Sequence, residues 1–389
     1  MFSRLVKCLL VATFSLFSAS FFNVCFAGEN GDSAIQKKKK AFNAREIIFG
    51  HVLDGHDFHF FDITKKNGTK HPVGIPLPVI LYSPQRGLNV FMSSKFHHGE
   101  ELYKNYRLIN EEYIHELEKE GVDVKKRGLS AGKIIPVTAD GKWDKSVTMY
   151  DVSISRNVVQ MILALALLVW IMMTIAKRYK NGEGVKTAPK GMQNLIEPII
   201  TFVRDEVAKP NLGNKYEKYL PFLLTLFFFI LINNLIGLIP GTANVTGNIA
   251  FTFVLGIIAF VVILGSSKKH YWGHIFNPPG MPVWVKFILV PVEFVSVFVK
   301  PMALIIRLFA NMVAGHIIII CLVSLIFIFS EMNHYVGIGS SPLAIGFTVF
   351  IYFIEILVAF LQAFIFAMLT AVFIGQAFEG EHHDEAAAH

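Results

Sequence analysis

Long apolar runs dominate the chain from residue 152 to residue 378. A helix needs about 20 apolar residues to cross a hydrocarbon core of about 30 Å. Two runs meet this length, a third is marginal, and two later runs are longer. The pattern therefore predicts five membrane crossings, at residues 158–176, 222–239, 249–264, 302–330 and 343–378.

The last two runs are longer than one crossing requires. At about 1.5 Å per residue they reach about 43 and 54 Å, so both helices should be strongly tilted or extend beyond the core. The apolar segment 287–299, just before them, contains Pro291 and Glu293. We interpret it as an interfacial or re-entrant segment. Residues 331–341 read as a polar loop between the two long helices.

Residues 28–150 differ from the rest because they are charged and contain no run apolar enough to span a membrane. Short strands are expected at 79–82 and 88–92, and a short charged helix at 106–120. We predict a small, partly ordered, β-containing extramembrane domain. It carries seven histidines, which could bind a metal or buffer protons. No spacing matches a ligand set, so scattered surface histidines are the preferred interpretation. Among the seven are His51, His56, His59, His97 and His98.

Residues 1–27 have the pattern of a secretory signal peptide. Two basic residues precede an apolar stretch at 9–22, and the pattern ends at Ala27. A signal anchor is the alternative, but the run is short for a span and a long polar segment follows. Cleavage would remove two of the three cysteines and leave Cys321 in an apolar helix, so no disulfide framework is expected.

The loop charges predict the orientation, because cytoplasmic loops concentrate Lys and Arg. Loops 241–248 and 331–341 contain neither residue. With five crossings, the domain at 28–150 would be periplasmic and the carboxyl terminus of the membrane domain, 151–389, cytoplasmic in a bacterial inner membrane. Segment 188–213 is amphipathic and should lie along the cytoplasmic face. Basic residues follow the first and third spans: Lys177, Arg178, Lys180, Lys186, Lys190, Lys268 and Lys269.

Composition supports a membrane protein, since 53% of the residues are hydrophobic and 36 are Phe. The net charge of +7 suggests a nucleic-acid partner at first. Most basic residues, however, lie between apolar runs, as in loops that face anionic lipid, so none is expected. No phosphate loop, nucleophile elbow or zinc spacing occurs, and no cofactor is predicted. The expected fold is an all-α polytopic membrane protein with a small β-containing amino-terminal domain.

Polar residues inside the two longest runs are the candidates for function, because each is costly in a membrane. In an antiparallel hairpin, residues at equal depth have numbers with a nearly constant sum. Three pairs meet this condition, with a midpoint near residue 335. These pairs are Arg307 with Gln362, Asn311 with Ala359, and His316 with Glu355.

The polar residues thus form two layers with different chemistry. Arg307 keeps its proton in a protein, so it suits a barrier that attracts a carboxylate. His316 and Glu355, nine residues or about 13 Å further along, can both exchange protons and suit a relay. Nine residues turn a helix by about 180°, so His316 and Arg307 should face different surroundings. Two alternatives remain open: Arg307 extends to the interface, or His316 and Glu355 form a structural pair.

Small residues line both long helices and permit another helix to approach closely. No acid shares the depth of Arg307 in this chain, so a partner should supply one. The small residues are Ala303, Ala310, Ala314 and Gly315 in the first helix and Ala359, Ala363 and Ala367 in the second.

Two motifs carry a resemblance to a known family. KPMALIIRLFANMVAGH at 300–316 and LQAFIFAMLTAVF at 361–373 resemble the signature of subunit a of F-type ATP synthases. The likeness extends over about residues 153–378 and includes 234–240. It implies that Arg307 faces the rotor carboxylate with Asn311 and Gln362 beside it, and that His316 and Glu355 belong to the outer half-channel. Some bacterial members carry the acid first and the imidazole second.

The resemblance implies a non-catalytic, proton-translocating stator subunit. Its partners would be the c-ring rotor subunits, the peripheral-stalk b subunits, the catalytic head and membrane lipid. One rival reading is a secondary transporter with an anionic substrate on Arg307, although no inverted repeat of the polar set is present. Another is an envelope-binding protein that the spans only anchor. The domain at 28–150 departs from the common pattern, since many relatives begin close to the first span.

Overall fold

The fold is described from a computed structural model of the chain. It covers residues 55–64, 70–99, 101–119, 122, 124, 129–130, 132–138, 141–184, 188–239, 242–267, 269–276 and 282–378. The predicted signal peptide at 1–27 and His51 lie outside the described residues.

The described residues of the amino-terminal domain form three small antiparallel sheets. Strand β3 lies at the centre of the largest, with β4 on one side and β7 on the other, while β1 pairs with β2 and β5 with β6. The strands predicted at 79–82 and 88–92 are confirmed as β3 and β4. The strands are β1 Asp57–Thr64, β2 Lys70–Pro76, β3 Pro78–Ser83, β4 Gly87–Met92, β5 Tyr106–Leu108, β6 Ile134–Pro136 and β7 Tyr150–Asp151.

The helix predicted at 106–120 is wrong at its start. Tyr106–Leu108 is strand β5, and helix α1 covers only Glu111–Lys119. Tyr106 is fully buried with Val79, Leu81 and Phe96 in the core between the sheets. An aromatic residue that pairs in a strand buries its ring better there than in a charged surface helix, so packing decided the boundary.

The domain is joined to the first membrane helix by a short and well-bonded segment. Strand β7 ends at Asp151, and helix α2 begins at Arg156. The His56 ring links Asp151 of β7 to the Gly132 backbone. Its Nε2 lies 2.9 Å from Asp151 Oδ2, and its Nδ1 lies 2.9 Å from the Gly132 carbonyl oxygen. The Arg156 amide donates to the Gly55 carbonyl over 3.0 Å. The base of the domain therefore contacts the start of α2 directly.

Five helices in the described part of the chain are long and apolar enough to cross a membrane, as the sequence predicted. The two long ones, α8 and α9, pack against each other and against α5. In chain order, the helices that follow α1, short ones included, are α2 Arg156–Lys180, α3 Met192–Phe202, α4 Lys209–Leu212, α5 Tyr216–Gly237, α6 Ile249–Ser266, α7 Lys269–Phe276, α8 Val283–Met332 and α9 His334–Phe378.

Helix α8 corrects the prediction for residues 287–299. This stretch is no separate re-entrant segment, because one 50-residue helix runs through both Pro291 and Pro301. Each proline removes one backbone donor, and the bonds on either side keep the helix continuous. At 1.5 Å per residue, α8 extends for about 75 Å, more than twice the core thickness. A strong tilt or an extension beyond the core is therefore required, as predicted.

The polar loop predicted at 331–341 is also wrong. Asn333 alone separates α8 from α9. Its backbone amide donates to the Phe329 carbonyl, and its side chain accepts from the Tyr335 amide over 2.9 Å. Asn333 thus caps both helices, and a Cβ on Gly337 would meet the Ser330 backbone at 2.7 Å. The polar composition reflects a tight helical turn here and not a loop.

The amphipathic segment 188–213 packs its apolar side chains inward from Val203 onward, while Leu195 near its start is 66% exposed. It forms α3, a π-helical stretch at Val203–Ala208, and α4. Val203, Val207 and Leu212 are buried in the main core with residues of α5 and α9. The opposite face carries Asp205, which pairs with neighbouring cations at 2.7 to 2.8 Å. Its position along the cytoplasmic face remains a prediction.

The bonds at the base of the domain lead to a test of pH dependence. Partial burial disfavours the Asp151 carboxylate, but hydrogen bonds from His56 and Ser153 outweigh it and hold the pKa of Asp151 below its usual 3.8. The carboxylate should stabilise the junction fully above that pH, and the effect should disappear as pH falls through the lower folded pKa. Asp151→Asn should therefore accelerate exchange of the Arg156 amide hydrogen at pH 7, with the difference from the native chain shrinking in strong acid.

Asp144→Asn is the matched control, because Asp144 pairs with Arg86 over 3.0 Å elsewhere in the domain. It should leave exchange at the junction unchanged. Hydrogen exchange with mass spectrometry on the full chain measures both variants. Equal protection of the junction in Asp151→Asn and in the native chain would refute the proposed role of Asp151 in joining the domain to α2.

Candidate functional site

The α8–α9 hairpin has the register that the sequence predicted. A Cβ placed on Gly315 would overlap the Glu355 carboxylate, so these two positions face each other at van der Waals contact. Met312 and Ala359 pack together with Leu238, the residue that follows α5. For both pairs, the residue halfway along the sequence between the two partners is 335 or its neighbour, as predicted for the hairpin. The hairpin geometry predicted from residue numbers is therefore confirmed at this level.

Asn311 and Gln362 form the polar contact nearest to Arg307. Asn311 Nδ2 donates to Gln362 Oε1 over 3.1 Å. Gln362 is 1% exposed, and its Nε2 has no acceptor among the described residues. The sequence paired Gln362 with Arg307, whereas its hydrogen bond comes from Asn311, one turn further along α8. Gln362 thereby holds the amide of Asn311 at the depth of Arg307.

Arg307 lies on an exposed face of α8. Ala303, Ala310, Asn311 and Ala314 are exposed on the same helix at spacings of three, four or seven residues. Within the described part of the chain, Arg307 has no hydrogen-bond or ion-pair partner. The small residues leave room for a close neighbour, and the uncompensated guanidinium would attract an acid on it.

Glu355 occupies a different environment. It is 8% exposed, and its Oε2 has no hydrogen-bond partner among the described residues. Gly315 lies directly opposite, and His316, the next residue of α8, is half-buried. The structure thus brings the carboxylate to the helix turn that carries His316, while direct contact of the two side chains stays a prediction.

The two stripes of small residues have different neighbours. On α9, Ala359, Ala363 and Ala367 are fully buried. They face α5, whose Asn234 donates to the Ala359 carbonyl over 3.2 Å. The small residues of α9 therefore serve packing inside this chain. On α8, Gly315 faces Glu355, whereas Ala303, Ala310 and Ala314 remain on the surface beside Arg307.

Three further polar side chains lie near this site, and sequence reasoning missed them. Asn234 is fully buried, Gln160 of α2 accepts from the Ala243 amide over 2.8 Å, and Asn244 donates to the Met312 carbonyl over 3.2 Å. A signal existed, because an amide within or beside an apolar run costs free energy unless it is paired.

No group of three His, Cys, Asp or Glu side chains suited to a metal ion occurs among the described residues. His56, one of the amino-terminal histidines, is engaged by Asp151 and Gly132 at the base of the domain. That ring has a structural role in joining the domain to α2.

Five helices long enough to cross a membrane among the described residues define a polytopic membrane protein, and the two longest carry a buried carboxylate, paired amides and an exposed arginine. The ATP synthase A chain family matches residues 158–375, over half of the chain. The chain therefore belongs to this family of membrane-embedded, proton-translocating stator subunits.

Similar proteins agree with this assignment. ATP synthase subunit a of Chloroherpeton thalassium is 48% identical over 246 residues, which cover 62% of this chain and 71% of the relative. ATP synthase subunit a 2 of Prosthecochloris aestuarii is 45% identical over 245 residues, 62% of this chain and 73% of the relative. In Myxococcus xanthus, ATP synthase subunit a is 39% identical over 266 residues, 65% and 80% of the two chains. No finding supports the transporter reading.

The amino-terminal domain has a match of its own. Residues 47–148 match a family described as a domain of unknown function, DUF8433. The match ends before α2 begins and assigns no activity to this part of the chain.

The contact of Gly315 with Glu355 can be tested by adding one methyl group. Gly315→Ala should displace the carboxylate or separate the helices, at a cost of about 1–3 kcal/mol. ATP-driven proton pumping in vesicles should fall strongly, because the carboxylate leaves its position. Gly346→Ala on α9 is the matched control, since a Cβ there meets nothing within 4 Å. Normal pumping by Gly315→Ala would contradict the close approach.

Proposed function

We propose that this subunit conducts protons through two half-channels that meet a rotor ring at Arg307, and so couples the proton gradient to ATP synthesis. The observation that carries the proposal is the contrast between the surroundings of Arg307 on α8 and those of Glu355 on α9. Arg307 is exposed on a stripe of small residues without an acid partner among the described residues. Glu355, opposite Gly315, is buried between helices. One group suits a partner surface, and the other an internal path.

The proton path begins on the exported side. His316 and Glu355 take up a proton there, since an imidazole and a buried carboxylate can both exchange protons. The proton passes to a carboxylate of the rotor ring as that carboxylate leaves Arg307. After nearly a full turn of the ring, the carboxylate releases its proton to a cytoplasmic half-channel.

Arg307 prevents a direct leak between the half-channels. A guanidinium keeps its proton and cannot relay one, while its charge draws the rotor carboxylate into the ionised form. Asn311, with Gln362 behind it, supplies a polar neighbour that keeps the passing carboxylate solvated. A barrier and a docking point are thereby combined in one side chain.

The surroundings of this subunit follow from that role. Its exposed α8 face would contact the c-ring, and its other surfaces would contact the peripheral-stalk b subunits and lipid. The torque generated in the ring would reach a separate catalytic head. The chain itself forms no phosphoanhydride bond. With the signal peptide at 1–27 removed, the domain at 28–150 would be periplasmic and the carboxyl terminus cytoplasmic. The basic loops after the first and third spans support this orientation.

Removal of the guanidinium is the first test. Arg307→Ala should abolish ATP-driven proton pumping in vesicles while the complex still assembles. Arg307→Lys should also fail, because an ammonium lacks the planar fork and can lose its proton in a dry site.

Lys300→Ala provides the control for loss of a nearby charge, as Lys300 lies over the Phe373 ring at 5.3 Å from its centroid. This variant should pump nearly normally. Vesicles of Arg307→Ala that acidify at the native rate would remove Arg307 from the mechanism.

The relay between His316 and Glu355 is tested by exchanging the two residues. An apolar replacement of either should slow proton uptake, because a buried relay loses one titratable step. The double exchange, His316→Glu with Glu355→His, keeps one acid and one imidazole and should recover more ATP synthesis than either single exchange. Its pH optimum is measured alongside. Equal defects in all three variants would refute the relay.

A further inference from the structure

The three-stranded sheet of the amino-terminal domain has an apolar outer face. Strand β3 pairs with β4 and β7 on its two sides, so that Tyr82 lies opposite both Leu88 and Tyr150. Directly opposed residues of antiparallel strands lie on the same face of a sheet. The exposed side chains of this outer face are Tyr82, Leu88, Val90, Met92 and Tyr150, and Val152 continues them beyond β7.

This outer face is unusual for a sheet in contact with water. The opposite face packs in the core of the domain through Val79, Leu81 and Phe91, so the sheet is apolar on both sides. An antiparallel sheet with one solvated face normally carries polar residues there. The structure describes every residue of β3, β4 and β7, and none of them places a charge on the outer face. A contiguous exposed apolar patch marks a contact with a membrane or with another protein.

Backbone hydrogen bonds hold the sheet close to the start of the first membrane helix. The Val152 amide donates to the Ile80 carbonyl over 3.0 Å, and the Ile154 amide donates to the Pro78 carbonyl over 3.3 Å. Helix α2 begins two residues later, at Arg156. Two residues span at most about 7 Å, so the near end of the sheet lies within that distance of the membrane helix.

The length of α2 places this junction at the depth of the lipid headgroups. Its 25 residues extend for about 37 Å, whereas the hydrocarbon core is about 30 Å thick and the bilayer with its headgroups about 40–45 Å. Lys177, Arg178 and Lys180 lie in the last turn of α2, at the opposite membrane surface. Arg156 and the near end of the sheet therefore lie in the headgroup layer on the other side.

The apolar face continues to the end of the sheet farthest from α2. At the near end Pro78 lies opposite Met92, whereas Tyr82 and Leu88 lie about 13 Å further along the strands. If the sheet stood upright on the membrane, these far residues would be in water, yet Leu88 is 65% exposed. A sheet that lies flat places the whole face against lipid. The Tyr82 and Tyr150 rings, stacked with centroids 6.5 Å apart, suit this position because tyrosine is enriched at membrane–water interfaces.

We propose that the outer face of the β4–β3–β7 sheet lies on the lipid surface beside α2 and inserts its apolar side chains among the headgroups. The contact is hydrophobic and needs no anionic lipid, because the face carries no charge. It holds the amino-terminal domain flat on the bilayer. The inference is independent of the proposed function, since it requires only that α2 spans the membrane.

Quenching of a fluorescent label by lipid tests this contact. Val90→Cys is labelled in a full-length chain whose three native cysteines are replaced by Ala, and the chain is reconstituted in phosphatidylcholine vesicles. Substituting part of the lipid by one with a nitroxide high on the acyl chain should lower the fluorescence about twofold or more. The quenching should persist in about 1 M salt, where electrostatic attraction is screened.

Lys119→Cys is the matched control, because Lys119 is exposed at the end of α1, outside the apolar face. Its label should be unaffected by the nitroxide lipid. If the label at residue 90 is not quenched, the inference is wrong, whether residues 28–54, a second copy or another protein covers the face. Equal quenching of both labels would also refute it, because the domain would then have no preferred face towards the lipid.

A charge placed on the face gives a second readout. With the label at Met92→Cys, the added change Val90→Asp should reduce the quenching severalfold, because a carboxylate resists transfer from water into an apolar environment. Lys119→Asp should leave the quenching unchanged. Exchange of the Val152 amide hydrogen verifies that the sheet remains folded. Native exchange at Val152 with undiminished quenching in Val90→Asp would refute the insertion of this face.

Discussion

The close approach of Gly315 to the Glu355 carboxylate sets the register of the α8–α9 hairpin, and the rest of the site follows from that register. With these residues opposed, Asn311 reaches Gln362 and Met312 meets Ala359. A side chain at residue 315 would force the helices apart or displace the carboxylate. Only a glycine allows a buried acid to occupy the interface between two helices packed this tightly.

The small residues of the two long helices have different surroundings. The alanines of α9 face α5 inside the protein, where Asn234 bonds the α9 backbone. Those of α8 remain exposed beside Arg307. Because lipid gives no hydrophobic drive for helix association, close packing of small residues and interhelical hydrogen bonds supply it. The alanines of α9 therefore pack inside the protein, whereas those of α8 leave an exposed face on which another helix could pack closely.

Buried amide side chains connect segments of the chain that are distant in sequence. Gln160, Asn234 and Asn244 lie on three segments, yet each donates or accepts across a helix boundary. Such bonds stabilise a helix bundle in a medium without water. At the start of α2, His56 joins the amino-terminal domain to the membrane helix through Asp151. The first span thus contacts both parts of the chain.

Hydropathy, loop composition and the spacing of polar residues in the two longest runs determined the five spans, the antiparallel hairpin and the five candidate residues. These features follow from local rules, since helix rise and hydrocarbon thickness do not depend on the remainder of the fold. Tertiary structure alone decided that α8 continues through Pro291, that Asn333 suffices as the turn, and that residues 242–247 fold inward. Each outcome depends on contacts between segments far apart in sequence. Packing and hydrogen bonding across those contacts outweigh the local preference of a proline or a polar run.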